Sequence, residues 1–268
     1  MTYLVAADLP TAPAGERFRA LLARPGILQM PGAHNGMAGL QARAAGFEAL
    51  YLSGAAMTAS MGIPDLGMIT VDEVCFFVRQ IMRATGLPLL VDGDTGYGEA
   101  LNVMHMVRSF EDAGAAAVHL EDQLLPKKCG HLNDKKLADA HDMAAKIAAA
   151  RRARRHLVII ARTDAAGSEG MDGAVTRAKL LQRSLEHDGD VGLREREDAC
   201  QQQAGARRGR VVGDLLAGKI GFGDDAAGIV AQHVRGSSDH DWAYSRPSPA
   251  SSSISASDKR NAMVLSAP

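Results

Sequence analysis

Cysteine, aromatic residues and net charge are all scarce in this chain of 268 residues. The three cysteines, Cys75, Cys129 and Cys200, lie far apart and are odd in number, which argues against a disulfide framework and for a reducing compartment. The net charge of −1 provides no general positive field for nucleic acid or an anionic membrane. Aromatic residues, at 4%, do not interleave with the short basic cluster at residues 207–210. We therefore expect no nucleic-acid partner.

Long apolar runs are also missing from the sequence. No run approaches the roughly 20 residues that a membrane-spanning helix needs. Residues 1–13 have neither the basic start nor the apolar core of a signal peptide. These absences lead us to expect a cytoplasmic protein with no membrane partner.

Apolar residues make up 46% of the chain, and up to about residue 180 they follow two alternating patterns. Short β-prone runs predict strands at residues 26–30, 49–53, 87–91, 115–120 and 156–162. Helical patterns between them fill residues 71–85, 100–114 and 138–155. Apolar strands that alternate with helices indicate βα units and a parallel sheet.

Polar residues stand where the predicted strands end. They are Ser53, Asp92 and Asp94, Glu121 and Asp122, and Arg162 and Asp164. Because a (β/α)8 barrel builds its active site at the carboxyl ends of its strands, we predict an α/β fold of this TIM-barrel type. A doubly wound open sheet is the alternative, since it also binds ligands at the carboxyl ends.

The composition changes after about residue 180. We expect residues 1–180 to form the barrel units that carry the site, and residues 181–268 to form a divergent region of another character. Within that region, residues 211–220 suit a strand or a helix and residues 224–234 suit a helix. The rest has the composition of loop or disorder.

An acidic pair, Asp92 and Asp94, stands in a glycine-rich run after the third predicted strand. Two carboxylates at alternate positions suit Mg²⁺, which prefers oxygen ligands and keeps several waters. The run Glu121-Asp122-Gln123 ends the next predicted strand. It could supply one acid to the outer shell of the metal and one residue that orients the loop that follows. Asp65 could support the waters of the metal. The structural alternatives are a glycine-rich turn, a Pro-Asp turn and an ordinary strand-to-loop transition.

The run Lys127-Lys128-Cys129-Gly130-His131 is the sharpest chemical signal. A cysteine has a pKa of about 8.5, which a nearby lysine or protonated histidine lowers. Cys129 could give a proton to a carbanion near neutral pH, act as a nucleophile, or be inert. No Cys-x-x-Cys or His-x-x-x-His spacing accompanies it, which argues against zinc.

Arg162 ends the fifth predicted strand. A guanidinium can bind a carboxylate through two parallel hydrogen bonds, so a substrate with carboxylates is a natural partner. An ion pair between Arg162 and Asp164 at the rim of the barrel is the alternative.

Together these motifs resemble the isocitrate lyase/phosphoenolpyruvate mutase superfamily, and most of all its methylisocitrate-cleaving lyases. The resemblance covers about residues 15 to 180, and its matching segments are residues 51–54, 62–67, 92–98, 119–123, 127–131 and 161–165. It implies a barrel, Mg²⁺ and homotetramers that exchange a C-terminal helix. It also implies cleavage of a hydroxy-tricarboxylate such as 2-methylisocitrate to pyruvate and succinate, a step of propionate catabolism.

The resemblance also implies a role for individual residues. Its metal site consists of Asp92 and Asp94 as ligands, with Glu121 and Asp65 supporting the water shell. Its substrate-binding residues are Tyr51, Ser53, Gly54, Gly130 and Arg162. Its catalytic residues are Cys129, His131 and Arg162, with Cys129 as the general acid on a loop steadied by Gly130 and His131. The general base is not assigned.

Departures from the family pattern leave other functions open. A carboxyphosphonoenolpyruvate mutase also carries a cysteine in this motif, so a phosphonate-forming mutase is one alternative. The glutamate expected on the sixth strand and the asparagine expected on the seventh are missing. We hypothesise a reading-frame shift near residue 180, which translation of the other frames of the gene would test. If the tail is genuine, an inactive barrel fragment is a further alternative.

Overall fold

Strands and helices alternate in the computed structural model, which describes residues 3–25, 27–129, 132, 134–186, 228–231 and 263–266. The strands are β1 (Ile27–Met30), β2 (Leu50–Leu52), β3 (Leu89–Asp92), β4 (Ala117–Glu121), β5 (Val158–Thr163), β6 (Gly228–Ala231) and β7 (Met263–Ser266). The α-helices are α1 (Ala14–Leu22), α2 (Gly36–Ala44), α3 (Gly54–Ser60), α4 (Val71–Thr85), α5 (Ala100–Ala113), α6 (Ala140–Ala153) and α7 (Gly170–Glu186). Short 3-10 helices cover Ala6–Asp8 and Ala165–Gly167. Of the helices so described, none is both long and apolar enough to cross a bilayer.

Helix α4 forms where its sequence predicts, because both of its ends carry strong signals. At its start the Glu73 carboxylate accepts the Thr70 N–H at 2.7 Å, and the Thr70 hydroxyl accepts the Glu73 N–H at 3.3 Å. This reciprocal pair is a capping box. At its end Gly86 adopts a left-handed φ of 64°, which stops the helix. These caps fix where the chain re-enters the sheet at β3.

The order of the strands separates the two candidate folds. Strands β2, β3, β4, β5 and β6 form one parallel sheet in chain order. A parallel bridge between Gly32 and Tyr51 places the end of β1 next to β2. A doubly wound sheet reverses its order at a switch point, and the described sheet has no such reversal. The predicted α/β fold of the barrel type is therefore confirmed over this part of the chain.

Both faces of β3, β4 and β5 are buried. On the outer face, Val91 and Ile159 pack in a large cluster with the helices. On the inner face, Leu90 and Ile160 pack with Phe18 from α1. Helix α1 lies at the amino ends of the strands, since its Arg19 donates to the carbonyl of His156, just before β5, at 2.8 Å. The carboxyl ends are left for polar side chains.

The described strands beyond residue 186 correct the prediction for the tail. Residues 224–234 were expected to be helical, but they contain β6, which pairs in parallel with β5. The β-branched pair Ile229 and Val230 favours a strand, and the open edge of β5 supplies its hydrogen-bond partners. Strand β7 pairs antiparallel with β1 where a loop was expected. Residues 211–220 lie outside the described residues, and α7 continues past residue 180 to Glu186.

Candidate active site

The carboxyl ends of β3, β4 and β5 bring buried charged side chains together on the inner face of the sheet. Parallel pairing sets Asp92 beside His119 and Glu121 beside Arg162. Since alternate residues of a strand share a face, Asp92 lies on the side of Leu90, which belongs to the inner cluster. The strand ends identified in the sequence therefore do meet in one place.

Asp92 is the centre of a hydrogen-bond network that reaches β2. Its Oδ2 accepts the Gly54 N–H at 3.0 Å and the Tyr51 hydroxyl at 3.4 Å. Its Oδ1 accepts the Asp94 N–H at 3.1 Å and lies 3.8 Å from His119 Nδ1. The Tyr51 hydroxyl is also 3.0 Å from His119 Nε2. Tyr51 and Gly54, predicted to bind substrate, thus contact a predicted metal ligand directly.

Burial gives these acids very different pKa values. Burial pushes the pKa of Asp92 upward, but its interactions with the His119 ring and the Lys127 ammonium outweigh burial and lower that pKa to about 2. Burial and the charge of Asp92 raise the pKa of Asp94 to about 7. Burial raises the pKa of Glu121 to about 8 and lowers that of His119 to about 4. The site therefore has more buried acid than its cations neutralise.

Lys127 is the site residue to which the sequence assigned no role. Its ammonium lies 2.7 Å from Asp65 Oδ1 and also forms an ion pair with Asp94, and its side chain is 3% exposed. Burial disfavours the charged ammonium, yet the carboxylates of Asp92 and Asp94 raise the pKa of Lys127 above its usual value. Lys127 thus joins the loop of Cys129 to the segment after α3 and to the turn after β3. Its place in the motif before Cys129 was the available signal.

Arg162 lies between two acids. Its Nη1 is 2.9 Å from Glu121 Oε2, and its Nη2 is 3.1 Å from Asp164 Oδ2. Lys135 adds a second cation to Asp164 at 2.9 Å. The rim ion pair named as the alternative for Arg162 therefore exists. Arg162 Nε is nevertheless buried and has no hydrogen-bond acceptor among the described residues.

The turn after β3 is strained. Asp94 and Tyr97 adopt left-handed φ values of 46° and 60° without being glycine. Such conformations persist where surrounding contacts enforce them, and they concentrate at functional sites. The Tyr97 hydroxyl is buried and has no hydrogen-bond partner in the described part of the chain, and the Asp94 carbonyl accepts the Glu121 N–H at 2.9 Å. The turn that the sequence describes as glycine-rich is therefore fixed against β4.

Backbone hydrogen bonds close the two ends of the loop that carries Cys129. The Leu124 N–H donates to the Lys136 carbonyl at 2.8 Å, and the Ala138 N–H donates to the Asp122 carbonyl at 2.8 Å. Cys129 is a free, half-buried thiol. Gly130 and His131, which complete the motif, lie outside the described residues. Ser53 is half-buried at the N-cap of α3 and makes no capping hydrogen bond with its side chain.

The donor set suits a hard cation that keeps part of its water shell. Among the described residues, no three His, Cys, Asp or Glu side chains form a ready metal cage, but Mg²⁺ usually needs only one or two carboxylates with waters. A Cβ at Gly54 would lie 3.0 Å from Asp92 Oδ2 and 3.5 Å from Asp94 Oδ1. The glycine thus leaves a cradle beside both acids. Oδ1 of Asp65 and Oδ1 of Asp94 are buried, and the Lys127 ammonium is the ion-pair partner of both.

Known proteins match this chain over the part that builds the site. The family model described as "Phosphoenolpyruvate phosphomutase" matches residues 18–184. A 2-methylisocitrate lyase from Bacillus subtilis is 54% identical over 163 residues, which are 61% of this chain and 54% of the relative. A 2-methylisocitrate lyase from Aeropyrum pernix is 46% identical over 214 residues, which are 80% of this chain and 68% of the relative.

A solved structure shares the fold as well. The crystal structure of 2,3-dimethylmalate lyase, a PEP mutase/isocitrate lyase superfamily member, has a TM-score of 0.64 at 30% identity and covers 84% of this chain and 74% of that chain. The chain spans about half the length of the Bacillus subtilis relative, at 54%. The match to the Aeropyrum pernix relative, at 214 residues, is too long to fit within residues 1–180. Similarity therefore continues into the tail.

Proposed function

We propose that this chain, which belongs to the phosphoenolpyruvate mutase/isocitrate lyase superfamily, is a carbon–carbon lyase. Its substrate would be 2-methylisocitrate or a similar hydroxy-tricarboxylate, and its products pyruvate and succinate. The similar lyases from Bacillus subtilis and Aeropyrum pernix support this choice. The observation that carries it is the buried cluster around Asp92 and Arg162, beside the loop of the free thiol Cys129.

Asp92 and Asp94 would hold Mg²⁺, with Glu121 and Asp65 supporting its waters. When bound, Mg²⁺ polarises substrate oxygens and stabilises the negative charge that develops on them. The cradle beside Gly54 and the excess of buried carboxylates support this assignment. The ammonium of Lys127 forms an ion pair with Asp94, so Asp94 would contact both Mg²⁺ and this built-in cation.

The substrate carboxylates would bind to Arg162 and Ser53, with Tyr51 and Gly130 beside them. The buried Nε of Arg162, which has no acceptor among the residues that the structure describes, supports its part. The Gly54 N–H already donates to Asp92, so Gly54 would serve the substrate mainly through the space that its missing side chain leaves. Gly130 and His131 would steady the loop of Cys129.

The chemistry is a retro-aldol cleavage. A general base, to which no residue is assigned, takes the hydroxyl proton of the substrate, so that this oxygen becomes a carbonyl and the neighbouring C–C bond breaks. Its electron pair stays on the succinate fragment as an aci-carboxylate. The Cys129 thiol then acts as the general acid and gives its proton to the carbon that carries this charge.

Product analysis tests the proposed function. We expect equal amounts of pyruvate and succinate from 2-methylisocitrate with Mg²⁺, with pyruvate followed by coupled reduction and succinate by chromatography. The description of the matching family model favours a second candidate, a mutase. Only a mutase would convert phosphoenolpyruvate to a compound with a C–P bond, which phosphorus NMR detects. If neither product forms and Mg²⁺ with succinate does not raise the melting temperature, the inactive-fragment alternative holds.

The proposal extends to a cytoplasmic homotetramer that takes part in propionate catabolism. The superfamily resemblance, which implies homotetramers that exchange a C-terminal helix, is what supports this part of the proposal. Sedimentation of the purified protein tests this assembly. A species of four chain masses is expected, and a stable monomer would contradict it.

Replacing Gly54 by alanine is expected to weaken Mg²⁺ binding about tenfold, an effect typical of changes behind metal ligands. The new methyl group would lie 3.0 Å from Asp92 Oδ2 and force that carboxylate to shift. Isothermal titration with Mg²⁺ measures the change. Gly32→Ala is the matched control, because no atom lies within 4 Å of its added Cβ. Equal affinities in both variants would place the metal elsewhere.

A further inference from the structure

The side chain of Gln123 forms hydrogen bonds with the backbone just before Cys129. Its Oε1 accepts the Lys128 N–H at 2.9 Å, and its Nε2 donates to the Lys128 carbonyl at 2.9 Å. Gln123 itself is buried, with 3% of its surface exposed. One buried amide therefore satisfies both backbone groups of one loop residue, as a paired strand would.

The same amide is tied to the charged cluster. Gln123 Nε2 also lies 2.8 Å from Glu121 Oε1 and 3.2 Å from Asp164 Oδ2. These two acids flank Arg162. The amide group thus connects the carboxyl ends of β4 and β5 with the peptide that leads into Cys129.

We propose that Gln123 is a positioning residue that holds the Cys129 thiol at the correct distance from the substrate. The inference rests on the proposed function, in which Cys129 is the general acid. Holding Lys128 requires a donor and an acceptor at the end of one side chain, and glutamine supplies both. The base of the loop lies at Leu124 and Lys136, several residues from the thiol. The amide of Gln123 fixes the backbone much closer to Cys129.

Two variants test this role through turnover. Gln123→Met keeps the length of the side chain but removes every hydrogen bond, and Gln123→Asn keeps the amide but is too short to reach. We expect Gln123→Met to lower kcat about 10²-fold, the cost of a misplacement of about 1 Å in a catalytic group. KM for 2-methylisocitrate should stay within about threefold, because Gln123 does not bind the substrate. Gln123→Asn, whose amide is too short to hold Lys128, should lower kcat to a similar extent, and it decides the question if Gln123→Met does not fold.

A matched control and a measurement without turnover complete the test. Gln41→Met changes an exposed glutamine of α2 and should leave kcat unchanged. Hydrogen exchange should speed up in Gln123→Met at peptides covering residues 124–136, and not in β3 or β5. The rate at which iodoacetamide alkylates Cys129, followed by peptide mass, should differ between Gln123→Met and the wild-type chain.

The outcomes separate this proposal from the proposed function. Unchanged exchange and alkylation in Gln123→Met would overturn the positioning role, as would faster exchange throughout the protein with kcat and melting temperature falling together. If the wild-type chain makes no pyruvate, the lyase reading fails. The exchange and alkylation results would still decide whether Gln123 holds the loop.

Discussion

Replacing Cys129 by serine is expected to lower kcat about 10³-fold, within the range that general acids contribute. A serine hydroxyl is a far weaker acid than a thiol, so it cannot protonate the aci-carboxylate near neutral pH. Mg²⁺ affinity should not change, because Cys129 is not one of the acids around Asp92. Initial rates of pyruvate formation and isothermal titration with Mg²⁺ measure the two quantities.

The other described cysteine provides the control for this experiment. Cys75 is buried in the core between α4 and its neighbours, at 2% exposure. Cys75→Ala should lower the melting temperature through lost packing and leave kcat unchanged. A Cys129→Ser variant with full activity would remove the thiol from the reaction, and the proposed mechanism would need another acid.

Replacing Lys127 by methionine is expected to destabilise the Mg²⁺-free protein by about 3–5 kcal/mol, the usual cost of removing one partner of a buried ion pair. The change leaves Asp65 and Asp94 without the ammonium that faces both of them. Added Mg²⁺ should reduce the difference, because a bound cation replaces part of the lost charge and stabilises the native state. Urea denaturation with and without Mg²⁺ measures the free energy of unfolding.

Lys136 offers a matched control for the loss of a lysine from the same loop. Its side chain is exposed, so Lys136→Met should change the free energy of unfolding by no more than about 0.5 kcal/mol. If Lys127→Met were as stable as the wild-type chain without Mg²⁺, the ion pairs around Lys127 would contribute nothing to the fold. The idea of a built-in cation in the acid cluster would then be wrong.

The parts of the fold and site that follow local rules could be predicted from the sequence. Helix α4 was predicted with its capping box because its signals lie within a few residues of each other. Asp92, Glu121 and Arg162 were identified together because strands in chain order deliver their carboxyl ends to one edge. For these residues, sequence position and spatial position are linked by regular geometry.

The rest depends on contacts between distant segments. Lys127 and Gln123 act through a loop whose path no periodicity predicts. The motif pointed to Cys129, while the side chains that fix its loop reach Asp65 and Asp164, far away in the sequence. Strand β6 was expected to be helical because the local composition does not reveal which edge a segment will pair with. Strand formation depends on that partner edge, here β5, as much as on composition. The roles of Gly130 and His131 stay predictions.

The most direct test of the central claim is turnover of 2-methylisocitrate with Mg²⁺ in D₂O, followed by proton and carbon NMR. A retro-aldol cleavage with protonation by an exchangeable thiol predicts pyruvate and succinate in equal amounts. Each succinate should carry a single deuterium on the carbon released by the cleavage, and the pyruvate methyl group should carry none. Intact substrate, or succinate without deuterium, would contradict the account.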